Sequence, residues 1–211
     1  MNPKEQREQT IKDAKCGVIL DAARAIFIEK GFWNVKVDDI AAAAGFSKPT
    51  LYNYYPDKES ILMSLTIREF RSISDKIITA SSNQPSFIAS AEAMFRVMLS
   101  KFIEQFSLIM DLSNYQRMVS MHIGPEKHDD LIKSLKEVQA RILDFLEKVI
   151  EKGRDSGEIT SSLPPNILAR FMISLVQGVQ MQWKMQGKTG DVDTTLRQLL
   201  DFLKHGFGLK G

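Results

Sequence analysis

Residues 37–55, VDDIAAAAGFSKPTLYNYY, have the pattern of two short helices joined by a tight turn. Gly45 supplies the left-handed backbone that a sharp turn between helices needs, at little steric cost. Ser47 can cap the second helix, and Pro49 falls in its first turn, where a missing N–H does no harm. Leu51 points back toward a core, which leaves hydrogen-bonding side chains on the other faces. A helix of this kind can enter the major groove of DNA while its partner holds it at a fixed angle.

The flanking segments complete a small helical domain. Residues 19–32 form an amphipathic helix, and Gly31 stops it. Downstream, Pro56 ends the second helix of the pair, and Asp57 can cap a long helix that continues to about Ser81. The helical pattern then persists, with further helices predicted at about residues 87–110, 113–123, 129–152, 166–186 and 192–207. Because the chain has no alternating β-type run and no internal repeat, we predict an all-α protein.

Two consecutive motifs, IL.AA..IF.EKGF at residues 19–32 and VDDIA..AGFSKPTLYNYYPDKESIL at residues 37–62, resemble the TetR family of transcriptional regulators. The resemblance is detailed over the first third of the chain and holds in outline over the rest. It implies an N-terminal three-helix, helix-turn-helix DNA-binding domain and a C-terminal helical bundle for ligand binding and dimerisation. We therefore assign residues 1–11 to a flexible tail, 12–60 to the DNA-binding domain (helix-turn-helix at about 36–55) and 61–211 to the C-terminal domain.

By this resemblance, the second helix of the pair supplies most of the DNA contacts. Tyr52 and Tyr54 are expected to contact phosphates, while Lys48 and Thr50 reach the floor or the edge of the groove. Asn53 is a candidate base-reading residue because an amide can form two hydrogen bonds with adenine. The full set of predicted DNA-binding residues is Lys36, Ser47, Lys48, Pro49, Thr50, Tyr52, Asn53, Tyr54 and Lys58.

Two lysines outside that helix are also expected at the DNA backbone. Lys58 lies at the start of the long helix, near the positive end of its dipole, and is expected to contact a phosphate. Before Val37 the family often carries a threonine whose hydroxyl binds phosphate, and Lys36 takes that place here with a longer, more salt-sensitive contact. Tyr55 stands where the family usually has a core phenylalanine. Three tyrosines at this spacing cannot all face one core, which argues against a purely structural role for the row.

Charge gives this interpretation little support. Residues 1–60 contain nine Lys/Arg and nine Asp/Glu residues, whereas nucleic-acid-binding domains are commonly basic. A basic edge formed by the lysines of the predicted set is the expected compensation, with the aspartates of residues 38–39 turned toward the start of their own helix. The polar N-terminal leader can add Lys12 or Lys15 to the footprint, although such tails are more often disordered.

The last two predicted helices carry apolar faces broader than a lone surface helix needs. In the first, Gly178 would let a second helix approach closely. Two such helices from each of two subunits would make a four-helix bundle. The alternative is that both faces are buried within one subunit. The predicted interface residues are Leu175, Gly178, Val179, Leu196, Leu199 and Leu203.

The chain is rich in Met and Phe, with ten and twelve residues respectively, and flexible thioethers in the bundle suit a site for apolar ligands. The predicted pocket residues are Phe95, Met98, Phe102, Tyr115, Met118, His122, Phe145, Met172 and Trp183. Met121 is a further candidate for the lining, with Gln116 and Gln177 as possible polar contacts. For any one of these residues a role in the core is the competing interpretation, because Met and aromatic stripes at helical spacing usually pack inside proteins.

Other function classes find little support in the sequence. There is no Gly-rich phosphate loop, nucleophile elbow or HExxH motif, so we predict neither an enzyme nor a bound cofactor. A metal site built from Asp111, His122 and Asp129 is an alternative to capping or solvated roles for these residues. The single cysteine, Cys16, excludes an internal disulfide and fits the cytoplasm, and packing is favoured over a redox-sensor role. A charged N-terminus and the lack of a membrane-length apolar run agree with that location.

Together these features predict a homodimeric, ligand-responsive DNA-binding regulator. We expect a repressor that a small apolar molecule releases from a palindromic operator. A helical small-molecule carrier that does not bind DNA is the alternative, and such a carrier would have no use for the exposed row from Lys48 to Tyr54.

Overall fold

The computed structural model describes residues 2–104 and 129–206, and every regular element in that part of the chain is helical. The fold class predicted from the sequence is confirmed. In chain order the helices are α1 (Pro3–Lys30), α2 (Val37–Ala43), α3 (Lys48–Tyr52), α4 (Lys58–Ser82), α5 (Phe87–Glu104), α6 (Asp129–Asp155), α7 (Pro165–Gln186) and α8 (Val192–Gly206). A short 3₁₀ turn, Phe32–Asn34, follows α1. The helix predicted at 113–123 lies outside the described residues.

The N-terminal segment is helical, whereas the sequence predicts a flexible tail over residues 1–11. Asn2 caps α1 by accepting the Lys4 N–H at 3.1 Å, and the Glu5 carboxylate accepts the Asn2 N–H at 2.9 Å. Pro3 stands at the first helical position. This capping box is followed by good helix formers, and together they start the helix without an apolar stripe. The sequence prediction relied on an apolar stripe to recognise a helix and therefore missed this start.

Residues 2–69 belong to one compact unit, whose core brings together α1, α2, α3 and the first part of α4. Asp57 caps α4 as predicted, since its carboxylate accepts the Ser60 N–H at 2.7 Å. Ile61, Leu62 and Leu65 of α4 are fully buried in the core of this unit. The unit therefore extends to Glu69, beyond the domain boundary predicted at residue 60.

The described residues of 70–104 and 132–206 belong to a second unit, in which α7 and α8 both pack on α5. Its core is almost entirely apolar, because each helix buries one stripe at the spacing of 3 or 4 residues. The fully buried members include Ile77, Met94, Phe95, Leu99, Ile150, Ala169, Met172, Val176 and Leu203.

Candidate nucleic-acid interface

The turn between α2 and α3 has the geometry predicted from its glycine. Gly45 has a φ of 71°, in the left-handed region, and the Phe46 N–H donates to the Ala41 carbonyl at 2.9 Å. Ser47 then caps α3, since its hydroxyl accepts the Thr50 N–H at 3.3 Å. These local bonds fix the direction in which α3 leaves the turn.

The α3 helix and its end have one buried and one exposed side. Leu51 is fully buried and Tyr55 is only 8% exposed, in agreement with their predicted core roles. Thr50 is half-buried, and its hydroxyl lies 2.8 Å from the Ser47 hydroxyl. The exposed residues, several of which can form hydrogen bonds, are Ser47, Lys48, Pro49, Tyr52 and Asn53. One surface thus presents most of the predicted row, whose contacts with DNA stay a prediction.

An ion pair holds the exposed Lys48 against α2. Its ammonium lies 2.8 Å from the Asp38 carboxylate, and the hydrogen bond to Asp38 raises the pKa of Lys48. The prediction that both aspartates face their own helix start is right for Asp39, whose carboxylate accepts the Lys36 N–H at 2.9 Å. It is wrong for Asp38, which bridges α2 and α3. Lys36 itself is exposed at the N-cap of α2, where it is available to a phosphate.

Lys58 is turned into the protein, away from the role predicted for it. Its ammonium donates to the carbonyls of Phe32 at 2.8 Å and Val35 at 2.9 Å, and lies 4.3 Å from the centroid of the Phe32 ring. Burial lowers the pKa of Lys58. The phosphate contact predicted for Lys58 is therefore not supported, because the side chain is used to fasten the start of α4 to the turn after α1.

Tyr54 and Tyr55, at the end of the recognition helix, both meet α1. Tyr54 is half-buried against the core, so it is less free for DNA than predicted, and the Lys15 ammonium lies 6.0 Å from its ring centroid. The Tyr55 phenol interacts with the Cys16 thiol and the Ser64 hydroxyl, and burial raises its pKa. Cys16 thus packs inside the unit, as predicted, and is not in a disulfide.

Charged side chains join α4 to α1 at the far end of this unit. Arg68 donates to the Gly17 carbonyl at 3.3 Å, and its guanidinium lies 2.9 Å from the Asp21 carboxylate. The Glu69 carboxylate, with a side chain only 16% exposed, lies 3.4 Å from Arg24. With Lys58 at the other end, these contacts hold the first three turns of α4 against the helices that carry the reading surface.

In the second unit, three of the predicted interface residues are already buried within the chain. Leu196, Leu199 and Leu203 are at most 6% exposed, because α8 turns its leucine face onto α5. This burial does not support their assignment to a subunit interface, whereas Phe202 of the same helix is 54% exposed. On α7, Gly178 is exposed and Leu175 and Val179 are half-buried, so these three residues are accessible to a second subunit and their interface role stays a prediction.

The predicted pocket residues of the second unit divide into three groups. Phe95, Phe102, Met172 and Trp183 are at most 8% exposed. The ring centroids of Phe102 and Trp183 lie 6.2 Å apart. Met98 and Phe145 are half-buried, and Gln177 is exposed. The remaining candidates, Tyr115, Gln116, Met118, Met121 and His122, lie outside the described residues. The packing shows an aromatic core here, and a ligand contact for these residues stays a prediction.

Comparison with known families now identifies the chain. Residues 19–65 match the model for bacterial regulatory proteins of the tetR family, and residues 125–199 match a tetracyclin repressor-like C-terminal domain. The two matches together span more than half of the chain. The chain belongs to the TetR family. It is a transcriptional regulator with a helix-turn-helix DNA-binding domain, and the carrier alternative is not supported.

Individual TetR-family relatives are similar over most of their length. The fatty acid metabolism regulator protein of Bacillus subtilis is 24% identical over 89% of this chain and 93% of its own. The transcriptional repressor DhaR of a Mycobacterium species is also 24% identical, over 88% and 90% of the two chains. The structure of FadR from Bacillus subtilis in complex with stearoyl-CoA has a TM-score of 0.66 at 20% identity, covering 88% of this chain and 96% of that one.

Among the helices of residues 2–104 and 129–206, none has the length and apolarity to cross a membrane. Within the same ranges, no three His, Cys, Asp or Glu side chains are placed to hold a metal ion. Two members of the metal site considered above, Asp111 and His122, lie outside these ranges.

Several interface residues are not evident from the sequence. Asp38 pairs with a lysine ten positions away, and Arg68 binds α1 across 51 positions of sequence. Neither pair has the i,i+4 spacing from which an ion pair within one helix can be predicted. Lys15, by contrast, is among the residues that the sequence itself suggests for the DNA footprint.

Proposed function

We propose that this TetR-family protein is a homodimeric repressor that binds a palindromic operator through α3 and is released by a small apolar molecule. The observation that carries the DNA-binding part is the separation of faces on α3. Leu51 is fully buried, while Lys48, Tyr52 and Asn53 are exposed on the same five-residue helix and its end. A rigidly seated helix with polar side chains outward suits direct reading of a major groove.

A gel-shift titration with variants of the exposed face tests this part. Asn53→Ala and Tyr52→Ala are each expected to weaken operator binding by about 10-fold or more, since a specific contact is typically worth about 1–3 kcal/mol. Lys133→Ala, an exposed change in the second unit, is the matched control. Wild-type affinity for both α3 variants would refute the assigned reading face.

The dimer is proposed to form through the exposed face of α7. Phe171, Met181 and Met185 are 50%, 55% and 78% exposed, which is unusual for large apolar side chains on one helix. Gly178 lies in the same stripe, and a Cβ added there would meet no atom within 4 Å. Together they leave a flat apolar strip that a second copy of the helix can cover.

Light scattering of an interface variant tests the dimer. Met181→Glu would bury an unpaired charge at the interface and is expected to give monomers at micromolar concentration. Asn166→Glu places the same charge on an exposed position of α7 outside the strip, and it should leave the dimer intact. Dimers of equal stability for both variants would show that the interface lies elsewhere.

The effector is proposed to be an elongated apolar molecule that binds in the second unit and acts through α4. The B. subtilis neighbour was solved with stearoyl-CoA, and the core of the second unit here contains Met, Phe and Trp side chains. A ligand that prefers one arrangement of α4 would shift the population away from the DNA-binding form, whereas one that binds both forms equally would have no effect.

Tryptophan fluorescence offers a direct test of the effector. The chain has two Trp residues, and Trp33 is 46% exposed, so the Trp33→Phe variant reports only the buried Trp183. We expect stearoyl-CoA to change the Trp183 emission and to release the operator, while coenzyme A without the acyl chain does neither. A lack of response to stearoyl-CoA and to long-chain fatty acids would contradict an acyl-type effector.

A further inference from the structure

The N-terminal part of α1 is a helix that the rest of the described chain leaves uncovered. Residues 3–14 are all exposed, although they continue directly into the buried part of α1 that begins at Ile19. The capping box at Asn2 and Glu5 gives this stretch a defined start. At about 1.5 Å per residue, it extends the helix by roughly 17 Å.

The contacts of α1 show where this extension leaves the DNA-binding unit. The Lys15 ammonium lies 6.0 Å from the Tyr54 ring centroid, and Cys16 meets the Tyr55 phenol. α1 therefore crosses the end of the recognition helix at residues 15–16. The exposed residues 3–14 begin at the edge of the reading surface, next to a tyrosine that is expected near the DNA backbone.

A mostly basic stripe runs along this extension and ends at the half-buried Lys15, directly after it. Lys4, Glu8, Lys12 and Lys15 follow one another at spacings of 3 or 4 residues, so they share a face of the helix. None of these three lysines forms an ion pair with a residue of the described ranges. The acidic neighbours are partly engaged, because Glu5 binds the Asn2 N–H and Asp13 accepts a bond from Gln9 at 2.7 Å.

This stripe supplies positive charge that the recognition helix itself does not. Lys48 is paired with Asp38 at 2.8 Å, and the Lys58 ammonium is bound to two backbone carbonyls. Of the basic edge predicted from the sequence, Lys36 alone is exposed and without an ion pair within the described residues. A formally neutral domain must obtain its phosphate contacts from elsewhere.

We propose that the Lys4–Lys12–Lys15 stripe of α1 is a second DNA contact, which binds backbone phosphates flanking the half-site read by α3. This inference rests on the proposed operator binding. Flexible lysines on an exposed helix hold phosphates without reading bases, so the stripe adds affinity to all sequences alike and extends the footprint outward. Glu8 lies within the stripe and opposes that attraction.

The salt dependence of operator binding measures this contact. Each phosphate neutralised adds about 0.9 to the slope of log affinity against log salt. Lys12→Gln/Lys15→Gln removes four lysines from each dimer and should therefore lower the slope by about 3.6, so that wild type loses roughly 150-fold more affinity than this variant between about 50 and about 200 mM salt. Lys30→Gln, an exposed lysine at the other end of α1, should keep the wild-type slope.

A substitution that is expected to strengthen DNA binding distinguishes the proposed contact from a folding defect. Glu8→Gln removes the one acidic member of the stripe and should strengthen binding at low salt, which a merely damaged helix would not do. Hydroxyl-radical footprints should show that the double variant loses protection at the outer edge of each half-site. Slopes for the double variant equal to those of Lys30→Gln, or no gain for Glu8→Gln, would overturn the proposal. Failure of the wild type to bind any operator would instead refute the proposed function.

Discussion

Gly45 offers a test of the turn that seats the recognition helix. Its φ of 71° is costly for any residue with a Cβ, and a Cβ built there would meet no atom within 4 Å. The effect of Gly45→Ala is therefore pure backbone strain, without a steric clash. Gly17 is the matched control, because its Cβ would also meet nothing and it lies inside α1 with ordinary helical backbone.

The two substitutions should change stability in opposite directions. An alanine held in the left-handed region costs about 1–2 kcal/mol, of which roughly 0.4–1 kcal/mol is returned by the less flexible unfolded chain. Gly45→Ala is thus expected to lower the free energy of unfolding by about 1 kcal/mol. Gly17→Ala should raise it by about 0.5–1 kcal/mol, since alanine is the better helix former. Gly45→Asn should fall between wild type and Gly45→Ala, because asparagine tolerates the left-handed region better than alanine.

Urea unfolding followed by circular dichroism measures the difference. The midpoints of the two alanine variants should separate with unchanged slopes, corresponding to about 1.5–2 kcal/mol between them. If the turn relaxes, Gly45→Ala should also weaken operator binding while Gly17→Ala does not. Equal stability of Gly45→Ala and wild type would refute the left-handed turn, and with it the fixed angle between α2 and α3.

Three further predictions follow from individual contacts. Asp38→Asn should free Lys48 and strengthen DNA binding at low salt, measured by gel shift; unchanged affinity would mean that the pair does not compete with phosphate. Lys58→Met should lower the free energy of unfolding by about 1–3 kcal/mol because it removes the hydrogen bonds from the ammonium to the Phe32 and Val35 carbonyls, with partial recovery in Lys58→Arg. Burial raises the pKa of Tyr55, so stability should be constant below the unfolded-state pKa of about 10 and fall above it. In Tyr55→Phe that alkaline loss should be smaller in urea melts, and an identical loss would contradict a buried neutral phenol.

The fold was largely predictable because its signals are local. Gly45, Ser47 and Asp57 each act within a few residues, through a left-handed turn or a cap, and their roles in the structure match the pattern. Helix periodicity likewise placed α4, α7 and α8 within about two residues. The capped start of α1 was missed because a polar helix has no apolar stripe to reveal it.

The site was less predictable because charge partners are chosen by tertiary packing. Lys48 and Lys58 look alike in the sequence, yet one pairs with Asp38 at the surface and the other binds carbonyls inside. The leucines of α8 show the same limit, because a broad apolar face can be covered by α5 of the same chain as well as by a second subunit. The periodicity of a helix predicts which face is buried, but it does not predict which helix, of the same chain or of a second subunit, covers that face.

A footprint on the DNA around the gene tests the central claim most directly. With two recognition helices in each dimer, the purified protein should protect a palindrome whose half-sites lie roughly 34 Å, or a near multiple, apart. Asn53→Ala should lose that protection while remaining folded and dimeric. Protection of a single half-site, or none at low ionic strength with or without acyl ligands, would contradict a dimer that reads DNA through α3.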